Sequence, residues 1–154
     1  MKTIFAFSDL HYKKLSPQLK SIAAESDYVF FLGDGAVNLE ELPLHKGFYG
    51  VKGNCDTLPL PKEECLEIEG IKVLLTHGDA YGVKDSLLRL EYHAKEQGCS
   101  LAFFGHTHFA EITEADGLTL INPGALGSSF GDASYAYTVI TEGRAFTKIV
   151  PCRT

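Results

Sequence analysis

The sequence predicts an α/β fold, and three observations carry that expectation. Short apolar runs that read as buried strands alternate with helical patterns through the first part of the chain. The last part is nearly all strand, broken by Asp-Gly and Glu-Gly turns. No run approaches the ~18 consecutive apolar residues that span a membrane. The 154 residues suit one domain with a sizeable core, taken as 1–154.

The elements follow in order. Thr3 to Ser8 (TIFAFS) is short, apolar and followed by polar residues, so it reads as a buried strand. Pro17 to Glu25 places Leu19, Ile22 and Ala23 at helical spacing behind Ser16, an N-cap type. Tyr28 to Leu32 (YVFFL) is a second buried strand, stopped by Gly33. Residues 35–46 are mixed and contain Pro43, which makes them a loop with room for one helical turn. Gly47 to Val51 is a weaker third strand. Cys65 to Glu69 alternates apolar and polar, turns at Gly70 and continues as Ile71 to Thr76, a β-hairpin. Val83 to Gln97 is the strongest helical pattern. Leu87, Leu90, Glu91 and Ala94 share one stripe, Leu88 and Tyr92 widen it, and Gly98 ends it. Leu101 to Phe104 is another buried strand. Glu111 to Ala115, Leu118 to Ile121, Tyr135 to Thr141 and Ala145 to Val150 complete the strands, with turns at Asp116-Gly117 and Glu142-Gly143.

Composition narrows the function classes. Hydrophobic residues make up 45% and charged residues 22%, the mix of a soluble globular protein. Met1 and Lys2 precede only Ile4 to Phe7 before Ser8, too short for a signal peptide's apolar core. A cytoplasmic protein is the expectation. The net charge of -6 argues against binding a long nucleic-acid duplex, which needs a basic face. A small anionic substrate remains open, because bound cations can reverse the local field. Cys55, Cys65, Cys99 and Cys152 form no CxxC pair, so a zinc knuckle is not expected. Cys65, Cys99 and Cys152 read as buried or half-buried small hydrophobes.

Chemistry-bearing residues gather where strands end. Asp9 and His11 follow the first strand, and Asp34 the second. Asn54, Cys55 and Asp56 follow the third. His77 and Asp79 follow the hairpin, and His106 and His108 the Leu101 strand. In open α/β sheets, ligands collect outside the carboxyl ends of strands, so these groups should converge. Taken singly they are weak signals: GDG is a common turn, and one DxH says little. Turns do not need histidine, however, and four of the six histidines stand in this set. His45 and His93 read as a loop residue and a helix-surface residue. Imidazoles mixed with carboxylates and an amide oxygen suit divalent ions such as Mn²⁺, Fe²⁺, Zn²⁺ or Co²⁺. Seven candidate ligands are too many for one closed site. They fit two ions ~3.5–4 Å apart that share a carboxylate, a device of phosphate-ester chemistry.

The segments SDLH, GDG, GNCD, THGD and GHTH, followed by NPGA at 122–125, resemble the calcineurin-like metallophosphoesterases. The resemblance is to their compact bacterial and archaeal phosphodiesterase branch, related to the retromer subunit of the same fold, and runs from Asp9 to about Gly127. It implies a four-layer α/β/β/α sandwich of two mixed sheets flanked by helices. It also implies two divalent metal ions, with Mn²⁺ preferred and Fe, Zn, Co, Ni or Mg as the others. Asp9, His11 and His108 would bind one ion; Asn54, His77 and His106 would bind the second; Asp34 would bridge them. A hydroxide held between the ions would attack phosphorus in line with the leaving oxygen. Asp34, Asn54, Cys55, Asp56 and His77 are thereby the candidate catalytic residues. Asp79 is not carried over as a ligand, since many relatives have histidine there.

The chain departs from that pattern at several points. Many relatives read GNH[DE], and the histidine after Asn is thought to protonate the leaving group; here that position is Cys55. A thiol has an ordinary pKa of ~8.5, which metal-rich surroundings would lower. It is a poor stand-in for an imidazolium acid, so leaving groups that need little protonation would be favoured. The alternative is that Cys55 only packs beside the site. Asp56 would orient its loop. Ala125 replaces the serine that often follows NPG, and Asn122 to Gly124 read as a structural turn. The short segments 35–46 and 57–64 leave an open, shallow site. Ser128 to Asp132 read as a surface loop or a cover. The expected activity is phosphodiester hydrolysis on a small phosphate ester. The alternatives are a phosphomonoesterase or a protein-interaction module of the same fold. Tyr12, Phe48, Tyr49 and Phe109 are the aromatic candidates for a partner surface.

Overall fold

The computed structural model describes residues 1–127 and 133–152. The surface loop or cover read at 128–132 lies outside the described residues. Two mixed sheets of five strands each are present. The first comprises β1 (Lys2–Phe7), β2 (Tyr28–Phe31), β3 (Phe48–Gly50), β9 (Ala133–Thr141) and β10 (Arg144–Cys152), ordered β10-β9-β1-β2-β3. The second comprises β4 (Glu63–Ile68), β5 (Ile71–Thr76), β6 (Leu101–Phe103), β7 (Glu111–Ala115) and β8 (Leu118–Asn122), ordered β4-β5-β6-β8-β7. Helices α1 (Pro17–Glu25) and α2 (Leu88–Glu96) complete the architecture.

Three apolar clusters fill the spaces between four layers. Ile4, Ala6, Phe30 and Leu32 of the first sheet meet Val73, Leu75, Leu101 and Phe103 of the second. The Phe30 and Phe103 rings cross edge to face at 5.2 Å, locking the two sheets together. Phe5, Phe7, Val29 and Phe31 point the other way and bury Leu19 and Ala23 of α1. Leu74, Ala102 and Leu120 bury Leu90 and Ala94 of α2 on the opposite outer face. The even and odd positions of β1 and β2 therefore both face apolar layers. This is why those strands read as unbroken apolar runs. The expected α/β/β/α sandwich is the observed fold.

Most elements form where their sequence predicts. At α1, Ser16 Oγ accepts the Leu19 N–H at 3.3 Å, and Pro17 supplies the first helical residue. The second helix is a correction. The helix expected over 83–97 begins only at Leu88. Residues 82–86 instead fold as turns, with the Asp85 and Ser86 N–H groups donating to the Gly82 carbonyl and Ser86 Oγ accepting from Leu88 N. Local side-chain bonding of this kind competes with the helix. The apolar stripe is correspondingly narrower: Leu88 and Tyr92 face solvent. The 35–46 loop holds two short 3-10 turns, Ala36–Asn38 and Leu42–Leu44. Cys65, expected to be buried or half-buried, is exposed on edge strand β4, while Cys99 is buried as expected. Among the described residues, no helix is long and apolar enough to cross a membrane.

Candidate metal centre

Strands β1, β2 and β3 are parallel neighbours in one sheet, and β5 and β6 are parallel neighbours in the other. All five deliver their carboxyl ends to one rim. The backbone stitches the ends together there. The Asp9 N–H donates to the Gly33 carbonyl, those of Leu10 and His11 donate to the Asp34 carbonyl, and that of Gly105 donates to the His77 carbonyl. Of nine described non-glycine residues with positive φ, five are Asp9, His11, Asp34, His106 and His108. Left-handed backbone is costly outside glycine, so the strain is concentrated on the candidate ligands.

Two groups of three side chains result. Asp9, His11 and His108 form one, and Asp34, His77 and His106 the other; within each, the ligand atoms lie within 4.8 Å of one another. His11 Nε2 is 3.2 Å from His108 Nε2, and His106 Nδ1 is 3.2 Å from His77 Nε2. Asn54 Oδ1 lies 3.0 Å from His77 Nε2, so the amide joins the second group. Asp34 Oδ2 is 3.2 Å from the same nitrogen. All seven residues predicted as ligands are thus brought together. Asp79 is not: it is exposed at the start of a 3-10 turn, Asp79–Tyr81.

The neighbours of these ligands fix their orientation. His77 Nδ1 lies 2.7 Å from the Leu32 carbonyl. That contact requires the proton on Nδ1 and turns Nε2 toward the cluster. Asp9 Oδ2 accepts from Ser8 Oγ at 2.7 Å and from the His106 N–H at 3.0 Å. Asp56 does not face the cluster. Its two oxygens accept four backbone N–H groups, those of Asp34, Gly35, Ala36 and Gly53. Asn122, fully buried, donates to the Gly105 carbonyl and Thr107 Oγ1 and so holds the GHTH turn. Glycine is required at two contact points. A Cβ at Gly53 would collide with the Asp34 carboxylate, and one at Gly105 with Ser8 Oγ. Sequence reasoning missed Ser8 as a support, although it stands directly before Asp9. It took Asn122 only as a turn residue.

The charges of this rim fit a cation. Asp9 Oδ1 is buried with no hydrogen-bond partner, while the Nε2 atoms of His108, His11 and His77 stand 3.3, 3.8 and 3.9 Å away. A buried anionic oxygen left bare is expensive unless a cation meets it. Burial alone would raise the Asp34 carboxyl; the hydrogen bond and charge of His77, with the Cys55 N–H, outweigh it and bring it down to about 2. Burial alone would lower His77, but the Asp34 hydrogen bond and the Asp9 and Asp34 charges push it above its ordinary value. His106 is pushed down by burial, then by His77 and Lys84. The same two carboxylates that favour a proton on His77 would favour a bound cation there. Burial first, then the charge of Asp34, raise the Cys55 thiol above its ordinary value in the protein alone; the lowering expected of Cys55 depends on bound cations.

Two cavities adjoin the Asn54-Cys55-Asp56 loop, and Asp56 lines both. His11, Tyr12, Val37 and Cys55 also line one, of about 150 Å³. Lys52, Asn54, Lys62, Glu63 and Tyr81 also line the other, of about 450 Å³. Tyr12 is 99% and Phe109 77% exposed beside His11 and His108. Phe48 and Tyr49, also considered as partner-surface aromatics, are half-buried and pack into the apolar clusters. His93, expected on the helix surface, bonds Glu63 at 2.9 Å and stacks on Tyr81.

Residues 1–143 match the calcineurin-like phosphoesterase superfamily domain, and the chain belongs to that family. It is 34% identical over 143 residues to the probable metallophosphoesterase YsnB of Bacillus subtilis (strain 168), covering 90% of this chain and 83% of that protein. The crystal structure of a predicted phosphoesterase from Streptococcus pneumoniae TIGR4 superposes with a TM-score of 0.81 at 24% identity, covering 97% of this chain and 89% of the other. Vps29 of Entamoeba histolytica, solved with Zn²⁺, gives 0.76 at 20% identity, covering 97% and 98%. At such identities the two structures establish the fold alone.

Proposed function

We propose that the chain is a phosphodiesterase acting on small phosphate esters with two divalent cations, Mn²⁺ foremost. Asp9, His11 and His108 would hold one cation and Asn54, His77 and His106 the other, with Asp34 between them. The observation that carries this reading is that the seven side chains gather as two adjoining groups, with the buried Asp9 Oδ1 left bare between the Nε2 atoms of His11, His108 and His77. Asp34 feels the charge of His11 as well as His77, which supports its placement between the groups. When bound, the cations supply Lewis-acid charge for the phosphoryl oxygens and ready a water near neutral pH.

The chain's own residues do the rest. The Leu32 carbonyl keeps the His77 proton off Nε2. Ser8 and the His106 N–H occupy Asp9 Oδ2, leaving Oδ1 for the cluster. Asp56 is a positioning residue that holds the backbone of both Asp34 and Gly53. A diester has two substituents on phosphorus, and two cavities adjoin the 54–56 loop to receive them. That favours a diester over a monoester. Cys55 stands where a histidine acid would protonate the leaving group, and a thiol is a poor stand-in for an imidazolium, which favours good leaving groups.

The test is hydrolysis of bis(p-nitrophenyl) phosphate by metal-stripped protein reloaded with Mn²⁺, with Asp34→Asn alongside. Mn²⁺-dependent turnover lost in the variant is the expected result. Two bound cations without turnover would overturn it and move the assignment to a protein-interaction module. The exposure of Tyr12 and Phe109 favours that second reading.

A further inference from the structure

One pair of reactive side chains stands apart from the metal centre. Cys65 Sγ lies 3.6 Å from Cys99 Sγ although 34 residues separate them. Cys65 is exposed on edge strand β4, and Cys99 is buried in the connection between α2 and β6. Bonding distance for two sulfurs is ~2.05 Å, so the pair needs ~1.5 Å of approach. Both sides can give. β4 is hydrogen-bonded to β5 alone, and Cys99 follows the last turn of a helix rather than sitting in a strand. The other thiols are poorly placed to compete: Cys55 is at the metal rim, and Cys152 is on β10 of the other sheet.

We propose that Cys65 and Cys99 are a redox modification site, which a hydroperoxide converts into a reversible disulfide tying β4 to the α2–β6 connection. The proposal does not depend on the phosphoesterase reading. The Cys65 sulfur attacks the outer peroxide oxygen. The O–O bond breaks, the peroxide is reduced to an alcohol or water carrying the thiol proton, and Cys65 becomes a sulfenic acid. The Cys99 sulfur then displaces the sulfenic hydroxyl. The S–S bond forms, and water leaves with the Cys99 proton.

The order of events follows from the surroundings. Burial first, and then neighbouring Cys65, push the Cys99 thiol up to about 12; the Lys72 ammonium opposes this and Glu63 adds to it. Cys99 therefore keeps its proton while solvent-facing Cys65 meets the oxidant. The cross-link would reinforce an existing tie. Glu63, two residues earlier on the same face of β4, already accepts from Tyr81 and His93. Glu63 and Tyr81 also line the larger cavity beside Asn54.

The experiment treats the full chain with hydrogen peroxide, alkylates free thiols, and maps peptides by mass spectrometry. The expected product is ~2 Da lighter with one peptide linking Cys65 to Cys99, reversed by dithiothreitol. Its thermal midpoint should rise by ~5 °C, because the link constrains the unfolded chain. In Cys99→Ala, Cys65 should stop at a sulfenic acid that dimedone traps. Cys65→Ser, an exposed change that leaves the core intact, should lose the link. Oxidation of wild-type Cys65 to sulfinic acid without a link would overturn the proposal. So would a link made instead through Cys55 or Cys152, or two thiols that stay alkylatable.

Discussion

The two halves of the metal rim are built alike but sit at different depths. In the Asp34 group, Asp34 and His77 are buried, and His77 is braced by the Leu32 carbonyl. In the Asp9 group only the carboxylate is buried; the side chains of His11 and His108 are 26% and 40% exposed. The chain therefore invests in the inner half through backbone bonds, with Asp56 alone taking four N–H groups. It leaves the outer half to two rings that touch mainly each other. Under the proposed two-cation reading, the difference implies that one strand-end motif gives a rigid subsite and the other an exchangeable one. What decides is whether its second ring nitrogen finds a buried carbonyl.

Removing the shared member should have the largest effect. Asp34→Asn should cost ~10³-fold in Mn²⁺-dependent kcat, with metal content by mass spectrometry falling in both halves. A loss confined to one half would break the symmetry argued for Asp34. Next comes the inner scaffold. Asp56→Ala should cost ~3 kcal/mol in chemical denaturation, because buried N–H groups lose a charged acceptor. Asn122→Ala, its counterpart beneath the GHTH turn that carries one ring of each half, should cost ~1 kcal/mol. Equal losses would remove the contrast.

The direct contrast is between His77→Ala and His108→Ala. The first should destabilise the chain by ~2 kcal/mol and abolish inner-site loading. The second should leave stability within ~0.5 kcal/mol of wild type and weaken outer-site affinity by ~10–100-fold. Cys55→His should raise turnover of alkyl diesters relative to aryl ones by ~10-fold, since it restores a proton donor. No change in that ratio would leave Cys55 a packing residue.

The smallest effect lies away from the rim. Burial would raise Glu63, but its hydrogen bonds to Tyr81 and His93 and the His93 charge hold it below the ordinary carboxylate value. Stability from a depressed carboxyl is present above its unfolded pKa and lost as pH falls through its folded one. Glu63→Gln should therefore flatten the acid limb of stability against pH by ~0.3 kcal/mol, small because the side chain is 37% exposed.

Much of this was legible in advance. The apolar runs of β1, β2 and β6, each followed within three residues by a candidate metal ligand, made both the buried sheets and the clustering of the candidate side chains legible. That is because strand alternation and strand-end placement are local rules. The start of α2 was not legible, because side-chain and backbone bonds near Ser86 compete with a helical pattern that looks continuous. The exposure of Cys65 was equally hidden, since an alternating strand reads the same at a sheet's edge as at its centre.

The sequence by itself determined the layers, the candidate ligands and the turns that carry them. Only the tertiary structure decided that Asp9 keeps one bare oxygen and that Asp56 serves four amides. It also decided that Cys65 meets Cys99. Each of these depends on which distant groups arrive at the same point. The pattern along a strand fixes which face a side chain takes, and sheet-on-sheet packing fixes what it meets there.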